Sequence, residues 1–201
     1  MRVFLKLISY IFHPLFIPIA GTLIYFTLTP KYSPLELQSG NILPIFILTV
    51  IIPIISFFIL RNVGLVSTVF MPEIRERKYA FYISISLLLL ILIKVIPNNY
   101  IPELYNFFLG LLSATFASLL LLFFKFRSSM HLMGMASILM YVISLSIHFE
   151  INVTIAIAII TLITGLVATS RIYLNAHTKP EILVGFFLGL ISQLLTIKFW
   201  L

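Results

Sequence analysis

The sequence predicts an all-α, polytopic transmembrane helical bundle, and three observations carry that prediction. The 201 residues are 61% hydrophobic and 9% charged, with a mean hydropathy of +1.17, whereas a water-soluble domain carries about 25% charged residues. Apolar runs approaching or exceeding the roughly 20 residues needed to cross a bilayer recur along the whole chain. Each run is continuously apolar rather than alternating, which fits helices and not the strands of a membrane barrel.

Seven runs qualify: 5–29, 42–60, 79–96, 105–124, 131–149, 153–170 and 181–199. The first follows a basic start (Arg2, Lys6) and resembles a signal peptide. Its apolar stretch is too long for one and lacks a convincing A-x-A site, so it reads as a retained span. Pro14 and Pro18 in that run, and Pro44 and Pro53 in the second, interrupt the helical hydrogen-bond ladder and predict kinks. Thr29-Pro30-Lys31, Arg61-Asn62, Pro97-Asn98-Asn99, Lys125-Phe126-Arg127, Glu150-Ile151-Asn152 and Lys179-Pro180 punctuate the runs. Gly110, Ala114 and Ala117 in the fourth run, and Gly185-x-x-x-Gly189 in the last, predict close helix contacts. No linker or internal repeat divides the chain, so residues 1–201 form one transmembrane domain of six to seven spans. Residues 62–74 (Val63, Leu65, Val66, Val69, Phe70, Ile74) suggest an interfacial lid.

The charge distribution is lopsided. Thirteen Lys and Arg against six acids, all of them glutamate, give +7. The face carrying the N-terminus (face A) receives Arg2, Lys6, Arg61, Arg75, Arg77, Lys78, Lys125, Arg127, Arg171 and Lys179, against Glu73, Glu76 and Glu181. The opposite face (face B) is neutral: Lys31, Lys94 and Lys198 against Glu36, Glu103 and Glu150. So little of the chain meets water that a nucleic-acid surface is excluded. Anionic lipid or phosphate is the partner such a face suits. With no cysteine, thiolate chemistry is excluded.

Parity brings the chemistry-bearing loops together. From 61–78 the chain crosses twice before 125–131, and twice again before 171–181, so all three loops share face A. They contain Arg75-Glu76-Arg77-Lys78, then Phe126-Arg127-Ser128-Ser129-Met130-His131, then Ser170-Arg171 followed by His177-Thr178-Lys179-Pro180-Glu181. These residues resemble the type 2 phosphatidic acid phosphatase superfamily, over roughly residues 70–199. The family's third motif, S-R-x5-H-x3-D, is matched by Ser170, Arg171 and His177, with Glu181 in place of the aspartate. Of its second motif, P-S-G-H, Ser129 and His131 are present, with Ser128 and Met130 in place of proline and glycine. Its first motif, K-x6-R-P, is represented only by the cluster Arg75, Arg77 and Lys78. Aligning Arg77 with the family arginine puts Phe70 where the lysine belongs.

The resemblance implies a phosphatase-like core in the C-terminal five to six spans and hydrolysis of a lipid phosphate without metal or cofactor. It makes His177 the nucleophile, Glu181 its orienting partner and His131 the general acid and then base. Arg171 and Arg77 would hold phosphate, helped by Arg75, Lys78, Arg127 and Ser129. Those residue types suit the task, because phosphoryl transfer needs positive charge around the equatorial oxygens and arginine's fork binds them bidentately. Each also has a plainer reading. Thr178-x-x-Glu181 is a capping box with proline in the first turn, Arg171 answers a helix dipole, and Arg75–Lys78 is a solvated loop. His131 would be an interfacial histidine and His13 a neutral intramembrane one, near the bilayer midplane and bonded across helices. His148 lies at the face B end of its span. Two other functions stay open: a non-catalytic relative binding anionic lipid, and a small transporter using His13. Positive-inside counting turns face A to the cytoplasm. The resemblance turns it outward, which makes a bacterial inner-membrane protein with a periplasmic site the expectation.

Overall fold

A computed structural model describes residues 1–68, 71, 73–97 and 101–200. Among the described residues the regular structure is entirely helical, and seven helices are long and apolar enough to span a membrane. The spans run Arg2–Leu28, Leu35–Asn62, Ile74–Val95, Pro102–Phe123, Met130–His148, Thr154–Tyr173 and Lys179–Ile197. Most start before the apolar runs do, because polar residues such as Glu36, Glu76, Glu103 and Glu181 occupy first turns, where carboxylates complement the helix dipole.

The first two spans are broken where the prolines predict. Span one is α1 (Arg2–Ile11), a 3-10 turn (Pro14–Phe16) and α2 (Ile17–Leu28). Span two is α3 (Leu35–Phe46), a π turn (Ile47–Ile51) and α4 (Ile52–Asn62). Pro44 is accommodated inside α3, and the ladder widens into the π turn over the residues just before Pro53, which has no N–H to give and crowds the carbonyl four residues back. Span three is α5 (Ile74–Leu90) with a terminal π turn. The rest are single helices, α6 (Pro102–Phe123), α7 (Met130–His148), α8 (Thr154–Tyr173) and α9 (Lys179–Ile197).

Helix α7 is the buried centre, with α6, α8 and α9 packed around it. Glycines set how closely α9 approaches. A Cβ on Gly185 would lie 2.5 Å from the Ser129 carbonyl oxygen, and one on Gly189 would collide with the Met133 carbonyl. Backbone therefore meets backbone, and the Ser129 N–H donates to the Glu181 carbonyl at 2.9 Å. That bond ties the second motif to the third.

Two expectations change. Residues 63–68 are not a flat amphipathic helix: Val66 is buried, and the Ser67 N–H turns back to Glu76 Oε1 at 3.0 Å. Val69, Phe70 and Asn98-Asn99 lie outside the described residues. His13 has a second histidine beside it. It stands level with His131, the second residue of α7, with ring centroids 5.3 Å apart, and its Nδ1 accepts locally from the Leu15 N–H at 3.3 Å rather than bonding across helices.

Candidate functional site

The site is built from helix ends on face A. Helix α8 ends in a Schellman turn: the Asn175 N–H bonds the Ile172 carbonyl and the Ala176 N–H the Arg171 carbonyl. Asn175 takes the left-handed position at φ 52°, which asparagine tolerates better than most residues. The reversed chain then delivers His177 immediately before α9. There Thr178 and Glu181 form the capping box anticipated from sequence, with the Thr178 N–H donating to Glu181 Oε2 at 2.9 Å.

The same carboxylate oxygen lies 3.2 Å from His177 Nδ1. A carboxylate at this distance accepts, so Nδ1 carries the proton and Nε2 keeps its lone pair. Capping and orientation are therefore one arrangement rather than rival readings of Glu181. The carboxylate's other oxygen faces Arg127 Nε at 3.4 Å, so Arg127 acts on Glu181. The His177 ring is almost covered, at 4% side-chain exposure. Burial, with the charges of Arg77 and Arg171 nearby, pushes its imidazole from 6.5 down to about 4. At neutral pH it is an uncharged base facing cations, the state a nitrogen nucleophile needs.

Arg77 is held by its own loop, with Nε donating to the Met71 carbonyl at 2.9 Å. It lies close enough to Arg127 and Arg171 for their charges to interact. Arg75, two residues away on α5, projects elsewhere and is exposed, and among the described residues no hydrogen bond or ion pair ties it to the group. Lys78 rests over the Phe123 ring, 4.0 Å from the centroid. Of the three cations expected from the first loop, the structure brings Arg77 to the histidine.

His131 is buried in the first turn of α7. Ser129, the residue before that helix, is fully buried; its N–H is used by Glu181, whereas among the described residues its hydroxyl has no hydrogen-bond partner, and neither has Nε of Arg171. Both are donors that an oxyanion can satisfy, and they stand beside the start of a 19-residue helix.

The sequence reading missed the first span's share of this site. Ser9 on α1 accepts from Arg171 Nη1 at 2.6 Å, and its carbonyl takes His131 Nε2 at 3.1 Å. Ser170 donates to the Leu5 carbonyl at 2.7 Å. The available signal was the spacing Leu5-x-x-x-Ser9, which puts both residues on one helical stripe running into His13-Pro14. His148, at the far end of α7, pairs instead with Glu103 on face B, as its position required.

The arrangement is a neutral histidine with one free nitrogen, three arginines around it, a second histidine, and buried unpaired donors. It suits nucleophilic attack on a tetrahedral oxyanion. No curated protein and no solved structure matches the chain. The family profile described as PAP2 superfamily matches residues 75–201, more than half the chain, a range that contains the candidate residues from the first loop onward. This multi-pass chain therefore belongs to the PAP2 superfamily, the type 2 phosphatidic acid phosphatases, and its chemistry is at the coarse level that of phosphoric ester hydrolysis.

Proposed function

We propose that this protein is a metal-independent membrane phosphatase that removes a phosphate from a lipid head group through a phosphohistidine on His177. The observation that carries the reading is the His177 ring itself: Nδ1 is committed to Glu181, and Nε2 is the remaining nucleophile. Nε2 attacks phosphorus and forms an N–P bond as the ester or anhydride P–O bond breaks, and His131 gives a proton to the departing oxygen. Water, deprotonated by His131, then attacks phosphorus; the N–P bond breaks and phosphate leaves. Arg77 and Arg171 carry the charge of the equatorial oxygens, with the Ser129 hydroxyl and the α7 N-terminus as further donors, while Arg127 steadies Glu181.

A lipid substrate is supported by the seven spans and by the basic face on which the site lies. Phosphatidic acid, phosphatidylglycerol phosphate, a polyprenyl diphosphate and phosphorylated lipid A all present the required monoester or anhydride. A bacterial inner membrane, with the site on its outer face, is the setting that suits this reading. The test is inorganic phosphate release by purified protein in detergent containing EDTA, offered each of these lipids beside His177→Ala. Release by the wild type alone supports the reading. No release from any of them by a folded sample defeats it and favours a binding protein.

A further inference from the structure

Helix α1 ends early because of Pro14. A residue before proline is disfavoured in the α region, and His13 accordingly adopts φ −67°, ψ 142°. Its N–H is thereby lost to the helix, and no backbone N–H among the described residues donates to the Ser9 carbonyl four residues back. Such an orphan carbonyl needs a partner. The partner is His131, whose Nε2 lies 3.1 Å away. A carbonyl only accepts, so this shorter contact favours a proton on Nε2, with the Ser9 hydroxyl oxygen 3.4 Å away as a second acceptor, and leaves Nδ1 as the nitrogen able to exchange one with substrate or water.

The same turn of α1 holds the other motif residues. The Ser9 hydroxyl takes Arg171 Nη1 at 2.6 Å, and the Leu5 carbonyl takes the Ser170 hydroxyl at 2.7 Å. Ser9, Ser170 and His131 are all buried. We infer that the α1 break is a positioning device for the reaction: Ser9, lying outside the family-matched region, fixes His131 in its working tautomer through its carbonyl and aims Arg171 through its hydroxyl. This inference rests on the phosphatase reading for its kinetic consequences and on geometry alone for the contacts. Around the His131 ring the titratable and charged groups are His13 of span one, Arg171 of α8 and His177 before α9.

The test uses full-length protein in detergent with two readouts. In kinetics, Ser9→Ala should raise KM about tenfold through loss of a charge-assisted hydrogen bond, and Ser9→Thr, which keeps the hydroxyl, should restore it. Pro14→Ala lets the His13 N–H recapture the Ser9 carbonyl, so it should lower kcat more than it raises KM and shift the pH profile. In the 15N spectrum of histidine-labelled protein, assigned by single substitutions, His131 should hold its proton on Nε2 and titrate at Nδ1, a pattern lost in Pro14→Ala. Ser9→Ala with unchanged or improved kinetics would mean that Ser9 merely fills the anion's place, and overturns the inference. So does a His131 that titrates at Nε2. If the wild type releases no phosphate, the phosphatase reading fails, while the spectrum still decides the Ser9 contact.

Discussion

Among the described residues there are two histidine–glutamate pairs, one on each face, and their difference explains why one suits a phosphate site and the other does not. On face A, His177 gives Nδ1 to Glu181 at 3.2 Å and keeps Nε2, and arginines outnumber the carboxylate. On face B, His148 presents Nε2 itself to Glu103 at 3.4 Å, and that buried carboxylate also takes the Lys31 ammonium and, at 3.4 Å, the Tyr25 hydroxyl. Phe149 and Trp200 close over His148. One pair leaves a ring nitrogen free, the proposed nucleophile, with surplus positive charge around it. The other balances its charges and clamps span one to α6 and α7. The residue pair alone carries no function; which nitrogen is free, and what charge surrounds it, decides.

The comparison is most easily broken by substituting both histidines. His177→Ala should bring phosphate release to background, whereas His148→Gln should leave kcat within about twofold, since it touches no reacting group; equal losses would show that the two faces are not distinct. Next in size is Arg77→Gln. It removes a proposed phosphate ligand, at ~10-fold to 100-fold in kcat/KM for a hydrogen bond to a charged group, and a charge that keeps His177 unprotonated. His177 should then titrate above its present value of about 4 and towards 6.5, so the acid-side loss of activity moves to higher pH. The linked stability has the same sign. With its folded pKa depressed, His177 contributes fully above pH 6.5, and stability is lost as pH falls from there to about 4. A pH profile unchanged in Arg77→Gln would separate the arginine from the histidine.

Smaller effects sharpen the comparison through stability. Gly189→Ala forces a methyl into the Met133 carbonyl and should cost about 1–3 kcal/mol in detergent unfolding, because backbone cannot yield as a side chain can. Glu103→Gln should cost about 1–2 kcal/mol, the scale of a weakened buried hydrogen-bond network, with kcat preserved. A fall in kcat there as large as in Arg77→Gln would contradict the division of labour between the faces.

Much of this was legible in sequence because its signals are local. Apolar length gave the spans, parity gave the shared face, and the motif spacing brought together Ser170, Arg171, His177 and Glu181. The four-residue step from His177 to Glu181 spans about one helical turn, so their meeting followed once α9 began at Lys179. What escaped depended on contacts across the chain. Arg75 and Arg77 look equivalent in a row of charges, and only the rotation of α5 turns Arg77 inward. Ser9 is 122 residues from His131, and nothing local marks a backbone carbonyl as a ligand. The kink at Pro14 was readable, but its consequence, a freed carbonyl placed beside a histidine, required the packing of α1 on α8.

The central claim is that His177 Nε2 forms a covalent bond to phosphorus. The direct measurement is rapid quenching into alkali during turnover, followed by peptide mass spectrometry that localises acid-labile phosphate among the four histidines. Phosphate on His177 alone, absent from His177→Ala, is the predicted result. Label on His131 or His13, or undiminished turnover by His177→Ala, would contradict it.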